Sequence, residues 1–163
     1  MCTNACKYLE AAPTNWLSDA GDPRRTWSTG DNQETAVAGA DETGIGSGYK
    51  NSLDIVRQSD NEPDSSAAAL ARSYTGKEEK SDWFLPSRDE LNELCKYARN
   101  LKTGDTSVPC ASAVKLPTGF AAGYYWSSSE SYAFNAWVQD FGIGGQDGLN
   151  KGYPSYVRPV RAF

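Results

Sequence analysis

The stretch "WFLPSRDELNELCKYARN" (Trp83–Asn100) decides how the rest of the chain is read. Ser87 followed three residues later by Glu90 is the pattern of a capping box, in which each side chain satisfies an amide that the start of a helix leaves free. Asp89 and Glu90 suit the positive end of the helix dipole, and Lys96 and Arg99 the negative end. Leu91, Leu94, Cys95 and Ala98 recur at helical spacing and form one apolar stripe. The stretch therefore predicts an amphipathic helix with one buried face.

Upstream, Pro63, Asp64 and Ser65 offer the start of another helix, with Asp64 or Ser65 as its cap. Ala67, Leu70, Ala71 and Tyr74 follow at i, i+3, i+4 and i+7, and Gly76 is its stop. Asn51 to Gln58 has room for a further short helix, with Leu53, Val56 and Arg57 at helical spacing. Earlier segments such as "SDAGDPRRTW", "STGDNQE" and "ETGIGSGYKN" predict loops. Beyond Gly104 the pattern turns to strands: "GYYWSSS", "NAWVQDF" and "YVRPVRAF" are rich in aromatic and β-branched residues. In "NAWVQDF", alternation puts Trp137, Gln139 and Phe141 on one face and Val138 and Asp140 on the other, and the two aromatics mark the first face as the buried one. The expectation is a single α+β domain over residues 1–163, with two or three helices in its N-terminal part and an antiparallel sheet built mainly from its C-terminal part.

Composition narrows the function. The chain has 163 residues and a net charge of −5, with 16 basic and 21 acidic residues, so it lacks the clustered positive charge that nucleic-acid binding requires. No apolar run reaches the length of a membrane span, and "MCTNACKYLE" lacks the basic start and apolar stretch of a signal peptide. The expectation is a protein that stays inside the cell, or the mature or excised part of a longer one. There is no histidine, which removes the commonest general base and a common zinc ligand. Cys2, Cys6, Cys95 and Cys110 are open to disulfides, to zinc or to remaining as free thiols. Zinc prefers two tight pairs, and the second pair here is fifteen residues apart. Cys95 with Cys110 is the preferred bridge, tying the capped helix to the loop after it, and disulfides place a chain outside the reducing cytosol.

Several short motifs invite a catalytic reading. "SAVK" (Ser112–Lys115), "SDN" (Ser59–Asn61) and "KTG" (Lys102–Gly104) are the elements of penicillin-interacting serine enzymes, but two of them precede "SAVK" where they should follow it. "DFG" (Asp140–Gly142) lacks the other kinase elements. "GIGSG" (Gly44–Gly48) lacks the basic residue of a phosphate loop and is expected to be a turn. Of the densest acids, Asp82, Asp89, Glu90 and Glu93, three fall on the capped helix. No nucleophile, base and orienting group can be assembled, so the chain is expected not to be an enzyme and to use no cofactor or metal. "NEPD" (Asn61–Asp64) is similar to the calcium-and-sugar loop of C-type lectins, which supplies an alternative: a calcium-dependent carbohydrate binder of fixed specificity.

"SDWFLPSRDELNEL", "YYWSSSE", "NAWVQDF" and "YVRPVRAF", in this order, resemble a bacterial and phage family with a C-type-lectin fold, which that family shares with formylglycine-generating enzymes. Some of its members are variable proteins of diversity-generating retroelements. The resemblance runs from about "CKYLEAAP" to the last residue. It implies that residues 131–155 are a ligand-binding segment rewritten through an error-prone reverse transcriptase and displayed on a fixed frame. By matching position the frame is Trp126, Ser127, Ser128, Ser129, Glu130, Ala136, Trp137, Gln139, Phe141, Lys151, Val157, Arg158, Pro159, Val160 and Arg161. The displayed positions are Ser131, Tyr132, Phe134, Asn135, Val138, Asp140, Ile143, Gly145, Asp147, Gly148, Leu149, Gly152, Tyr153 and Ser155. Tyr132, Phe134 and Tyr153 are the expected anchors, with Asp140 and Asp147 supplying polar selectivity. The enzyme branch of the fold uses a cysteine pair in its C-terminal core, and no cysteine follows Cys110. The resemblance implies a protein or glycan ligand on another cell or surface, no nucleic acid, no membrane insertion, and an extracellular, cell-surface or virion location.

Overall fold

The computed structural model describes residues 8–58, 65–112 and 117–163. Its elements, in chain order, are β1 (Leu9–Ala11), β2 (Arg24–Arg25), α1 (Gly48–Gln58), α2 (Ala67–Ser73), α3 (Arg88–Ala98), β3 (Tyr124–Tyr132), β4 (Asn135–Asp140), β5 (Gln146–Asn150), β6 (Ser155–Tyr156) and β7 (Val160–Ala162). Short 3₁₀ helices stand at Gly30–Gln33 and Cys110–Ser112. Five strands form one sheet in the order β2-β6-β3-β4-β5, and β1 pairs with β7 in a second sheet. Pairing is antiparallel except for one parallel bridge between Tyr125 and Tyr156. This is an α+β, C-type-lectin-like fold, with the helices early and the main sheet late.

α3 is the helix its sequence predicts. The Ser87 hydroxyl accepts from the Glu90 amide at 3.3 Å, and the Ser87 amide donates to Glu90 at 2.7 Å. Glu90 is fully buried and also accepts from the Gly46 amide at 2.8 Å. Burial pushes its pKa up, against the pull of those amide hydrogen bonds. The "GIGSG" turn is thus occupied by a carboxylate of its own chain. α1 starts at Gly48, three residues before Asn51, and buries Asn51, Ser52 and Ile55. α2 is capped by Ser66 and not by Asp64 or Ser65: the Ser66 hydroxyl accepts from Ala69, and the Ala67 amide donates to Thr26 O at 2.9 Å. Asp64, with the rest of "NEPD", lies outside the described residues.

The main sheet is covered on both faces. On one side Trp27, Ile55, Leu70, Leu85, Trp126 and Val138 pack together, and on the other Leu91, Cys95, Cys110, Tyr125 and Phe141. This corrects part of the expectation for β4: Gln139 and Phe141 are buried as expected, but so is Val138 on the opposite face. Ala136 and Val138 are buried in the first cluster, while Trp137 points the other way and is only partly buried. Simple alternation marks one buried face, whereas a sheet sandwiched between two clusters buries residues of both.

Cys95 and Cys110 form the expected disulfide; Cys2 and Cys6 lie outside the described residues. The bridge closes a 15-residue separation. Replacing both cysteines with serine is expected to lower the unfolding free energy by about 3 kcal/mol. Urea unfolding of the double variant against the parent tests this; a loss below about 1 kcal/mol would show that the loop is held without the bridge.

Candidate functional site

The segment between β3 and β6 carries most of the large exposed side chains at this end of the sheet, and its frame is unusually polar. Glu130, near the end of β3, and Lys151, just after β5, form a buried ion pair at 2.5 Å. The Lys151 ammonium also donates to Ala133 O at 2.6 Å and Thr35 O at 2.8 Å, and lies 4.8 Å from the centre of the Trp27 ring. Burial pushes the Lys151 pKa down, and Glu130 opposes that shift. The Lys151 amide donates to Phe134 O at 3.0 Å. One side chain therefore holds the β3–β4 turn, the 28–37 loop and the exit of β5 together. Tyr132, Phe134 and Tyr153 project from this tied end and are 71%, 53% and 62% exposed.

The other end of the segment is fixed differently. Asp140 accepts from the Gly142 amide at 2.7 Å and the Ile143 amide at 3.2 Å, closing the turn that carries exposed Ile143. Gly144 has φ +82°, and a side chain there would collide with the Cys110 carbonyl and come within 2.7 Å of Arg99 Nη1. Only glycine fits. The Gln139 amide donates to Gly144 O at 2.8 Å and Gly145 O at 3.1 Å. The Cys110 amide in turn donates to Asn92 at 2.9 Å. The glycine-rich run is thus packed against the disulfide-bonded 3₁₀ helix.

Of the fourteen residues assigned to display, Tyr132, Phe134, Ile143, Asp147 and Tyr153 are exposed. Ser131, Asn135, Asp140, Gly145, Gly148, Leu149 and Gly152 are partly exposed; among them Asp140 is committed to its turn, and Leu149 leans on the first core cluster. Val138 and Ser155 do not belong to the surface. Val138 is 1% exposed and pairs with Trp126 in the core, and Ser155 is 2% exposed in β6, paired with Arg25. Of the fifteen assigned frame residues, all but Trp137 and Arg161 are buried, Glu130 and Lys151 among them.

The face of β4 opposite Val138 carries Trp137, which the resemblance assigns to the fixed frame and which is partly exposed. Trp137 stands across from Gly148 in the β4–β5 register, so no side chain faces its indole from that position. The Arg88 guanidinium sits 5.3 Å from its ring centre, and the Gln146 amide donates to Arg88 O at 3.0 Å. Asn150 is exposed beside them on β5. The pairing of Trp with Gly becomes visible only with the strand register in hand.

Among the described residues, no group of three or more His, Cys, Asp or Glu is placed to hold a metal ion, and no helix is long and apolar enough to cross a membrane.

A C-type-lectin-like α+β domain that carries its exposed aromatics on an ion-paired, disulfide-braced segment is defined by these observations. The family model of the Lcl C-terminal domain matches residues 13–161, and the chain belongs to that family. A search among curated proteins returned no match.

Proposed function

We propose that this domain is a non-catalytic ligand-binding display module, whose 131–155 segment is diversified by a retroelement to bind varied ligands, chiefly proteins, at a cell or virion surface. The observation that carries this reading is the contrast within one short segment. Tyr132, Phe134 and Tyr153 stand well out into solvent, while Lys151 and Glu130 directly beneath them are buried and ion-paired. Rigid amphipathic aromatics give contact area at small entropic cost, and a frame independent of them lets them change. The Cys95–Cys110 bridge agrees with a location outside the reducing cytosol.

Sequencing the 3′ end of the gene across its source population tests the reading. Variation is expected at codons for exposed positions such as 132, 134, 143 and 153, with Val138, Lys151 and Ser155 unchanged. A uniform 3′ end would remove the diversification. Replacing Tyr132, Phe134 and Tyr153 together by serine is expected to alter stability by no more than about 0.5 kcal/mol per site while abolishing capture of whatever partner the parent domain retains. Unchanged capture would remove these three residues from the binding surface.

A further inference from the structure

The strand β5 (Gln146–Asn150) ends the five-stranded sheet, with β4 as its one neighbour. The pairing fixes which of its backbone groups are used. The Lys151 amide donates to Phe134 O at 3.0 Å, and the Asp140 amide to Gly145 O at 2.8 Å. In an antiparallel ladder, residues that exchange hydrogen bonds alternate with residues that do not. Asp147 and Leu149 therefore bond towards β4, while Gln146, Gly148 and Asn150 turn their amides and carbonyls outward. Two of these outward groups are met locally: the Gly148 amide donates to Asp147 Oδ1 at 2.7 Å, and the Asn150 carbonyl accepts from the Tyr153 amide at 3.0 Å. The Gln146 amide and carbonyl, the Gly148 carbonyl and the Asn150 amide have no partner among the described residues.

An open edge is a template for another strand, and proteins commonly blunt it with lysine, proline or a bulge. β5 has none of these: its sequence is QDGLN, and its register with β4 is unbroken from Gln146 to Asn150. The side chains beside the edge say what it pairs with. Gly148 presents no side chain on the face it shares with Trp137, so a residue paired with Gly148 has room there and the partly exposed indole beside it. On the other face Asp147 is exposed, accepts the Gly148 amide, and has no cation within ion-pair distance among the described residues. A second copy of this chain is a poor occupant. Antiparallel self-pairing centred on Gly148 sets Asp147 against Leu149 of the other copy, and centred on Asp147 it sets two carboxylates against each other.

We infer that β5 takes up an extended segment of a protein ligand as a sixth, antiparallel strand. That segment places a large apolar residue opposite Gly148 and, one residue further along, a lysine or arginine opposite Asp147. The inference rests on residues 131–155 being the ligand-binding segment and names how the ligand is held. Main-chain bonds form whatever side chains an edge strand carries, so a segment whose side chains are rewritten keeps one constant means of attachment. On binding, the Asp147 carboxylate passes from the Gly148 amide to the incoming cation, and that amide turns to the carbonyl of the ligand.

The test titrates the ¹⁵N-labelled whole chain with the peptide Ser-Thr-Val-Phe-Lys-Thr-Ser, whose Phe falls opposite Gly148. Three altered forms accompany it: N-methylated at Phe, N-methylated at Lys, and with Glu in place of Lys. The unaltered peptide is expected to shift the amides of Gln146, Gly148 and Asn150 and to slow their hydrogen exchange. Methylating the Phe nitrogen, which faces β5, is expected to weaken binding at least about tenfold, and methylating the Lys nitrogen, which faces away, less than about threefold. Glu for Lys is expected to weaken binding about fivefold, and Asp147→Lys to reverse that preference. Equal effects of the two methyl groups, shifts confined to other amides, or no binding up to about 1 mM would overturn the inference. Shifts of the same three amides with the concentration of the chain alone would overturn it too, since β5 would then pair with itself. The two readings fail separately. If no peptide binds while the triple serine variant of Tyr132, Phe134 and Tyr153 still loses its captured partner, strand addition alone falls. If the alternating methyl pattern holds and the 3′ end of the gene is uniform, diversification alone falls.

Discussion

Lys151→Met is expected to lower the unfolding free energy by about 3–5 kcal/mol, the cost of breaking a buried ion pair from one side. In a domain of this size that is roughly 6–20 °C in melting temperature. The lysine is fully buried and spends its three protons on Glu130, Thr35 O and Ala133 O. Without it the Glu130 carboxylate, 8% exposed, keeps among the described residues only the Val37 amide, at 3.0 and 3.2 Å to its two oxygens. Two carbonyls are also left without their donor. The double variant Lys151→Met with Glu130→Leu is expected to cost less than the sum of the two single changes, because it leaves no uncompensated charge. It is not expected to reach parent stability, since Thr35 O, Ala133 O and the Val37 amide remain unpaired. Thermal unfolding of the four proteins gives the coupling directly. A loss under about 1 kcal/mol for Lys151→Met would mean that the pair does not anchor the segment. The functional consequence follows from geometry: Lys151 holds the turn that presents Tyr132 and Phe134, so its loss is expected to weaken binding even where the domain still folds.

What the sequence made legible was what it encodes locally. The α3 capping box needs only Ser87 and Glu90, three residues apart, and it stands as expected. The Cys95–Cys110 bridge was accessible because Cys110 returns to the helix it has just left. The faces of β4 were not legible by alternation, because Val138 and Phe141 are buried by different clusters on opposite sides of one sheet. The α2 cap was ambiguous among neighbouring polar residues, and a distant contact, Ala67 to Thr26, accompanies the choice of Ser66. Polarity alone marks Ser127, Ser128, Ser129 and Lys151 as surface residues, yet all are buried, as is Gln139. Their partners lie on other strands and loops, which no local pattern contains. The resemblance placed them in the frame, and their hydrogen bonds give the physical reason: a buried polar group is tolerated where its partners are in place.

The widest of these networks centres on Asp22, and Asp22→Ala is expected to cost as much as the loss of Lys151. The Asp22 side chain is 2% exposed. It takes two parallel bonds from Arg158, both at 2.6 Å, with one from Trp16 Nε1 at 3.0 Å and one from the Tyr125 hydroxyl at 2.5 Å. Arg158 donates further to Ala12 O and Gly119 O and stacks 4.1 Å from the Phe120 ring centre. The loop after β1, the start of β3, the 119–120 loop and the β6–β7 link thus meet at one carboxylate. Removing it leaves a guanidinium, an indole N–H and a phenol without their acceptor, a loss of about 3–5 kcal/mol. Asp22→Asn keeps the shape but sets an NH₂ group against these donors, so it is expected to recover only part of that loss. Tyr125→Phe removes one donor to the carboxylate and the acceptor of the Ala121 amide, at 2.8 Å, and is expected to cost at least about 1.5–3 kcal/mol. Burial first, and then Asp22, push the Tyr125 pKa far above the ordinary phenol range, so the hydroxyl stays protonated and donating. Urea unfolding of Asp22→Ala, Arg158→Met and the pair distinguishes a unit from a set of separate contacts. If the groups act as a unit, the double variant falls no further than the worse single one. Full additivity would mean that Arg158 is held by Ala12, Gly119 and Phe120 without Asp22, and that the carboxylate is not the point at which these loops are joined.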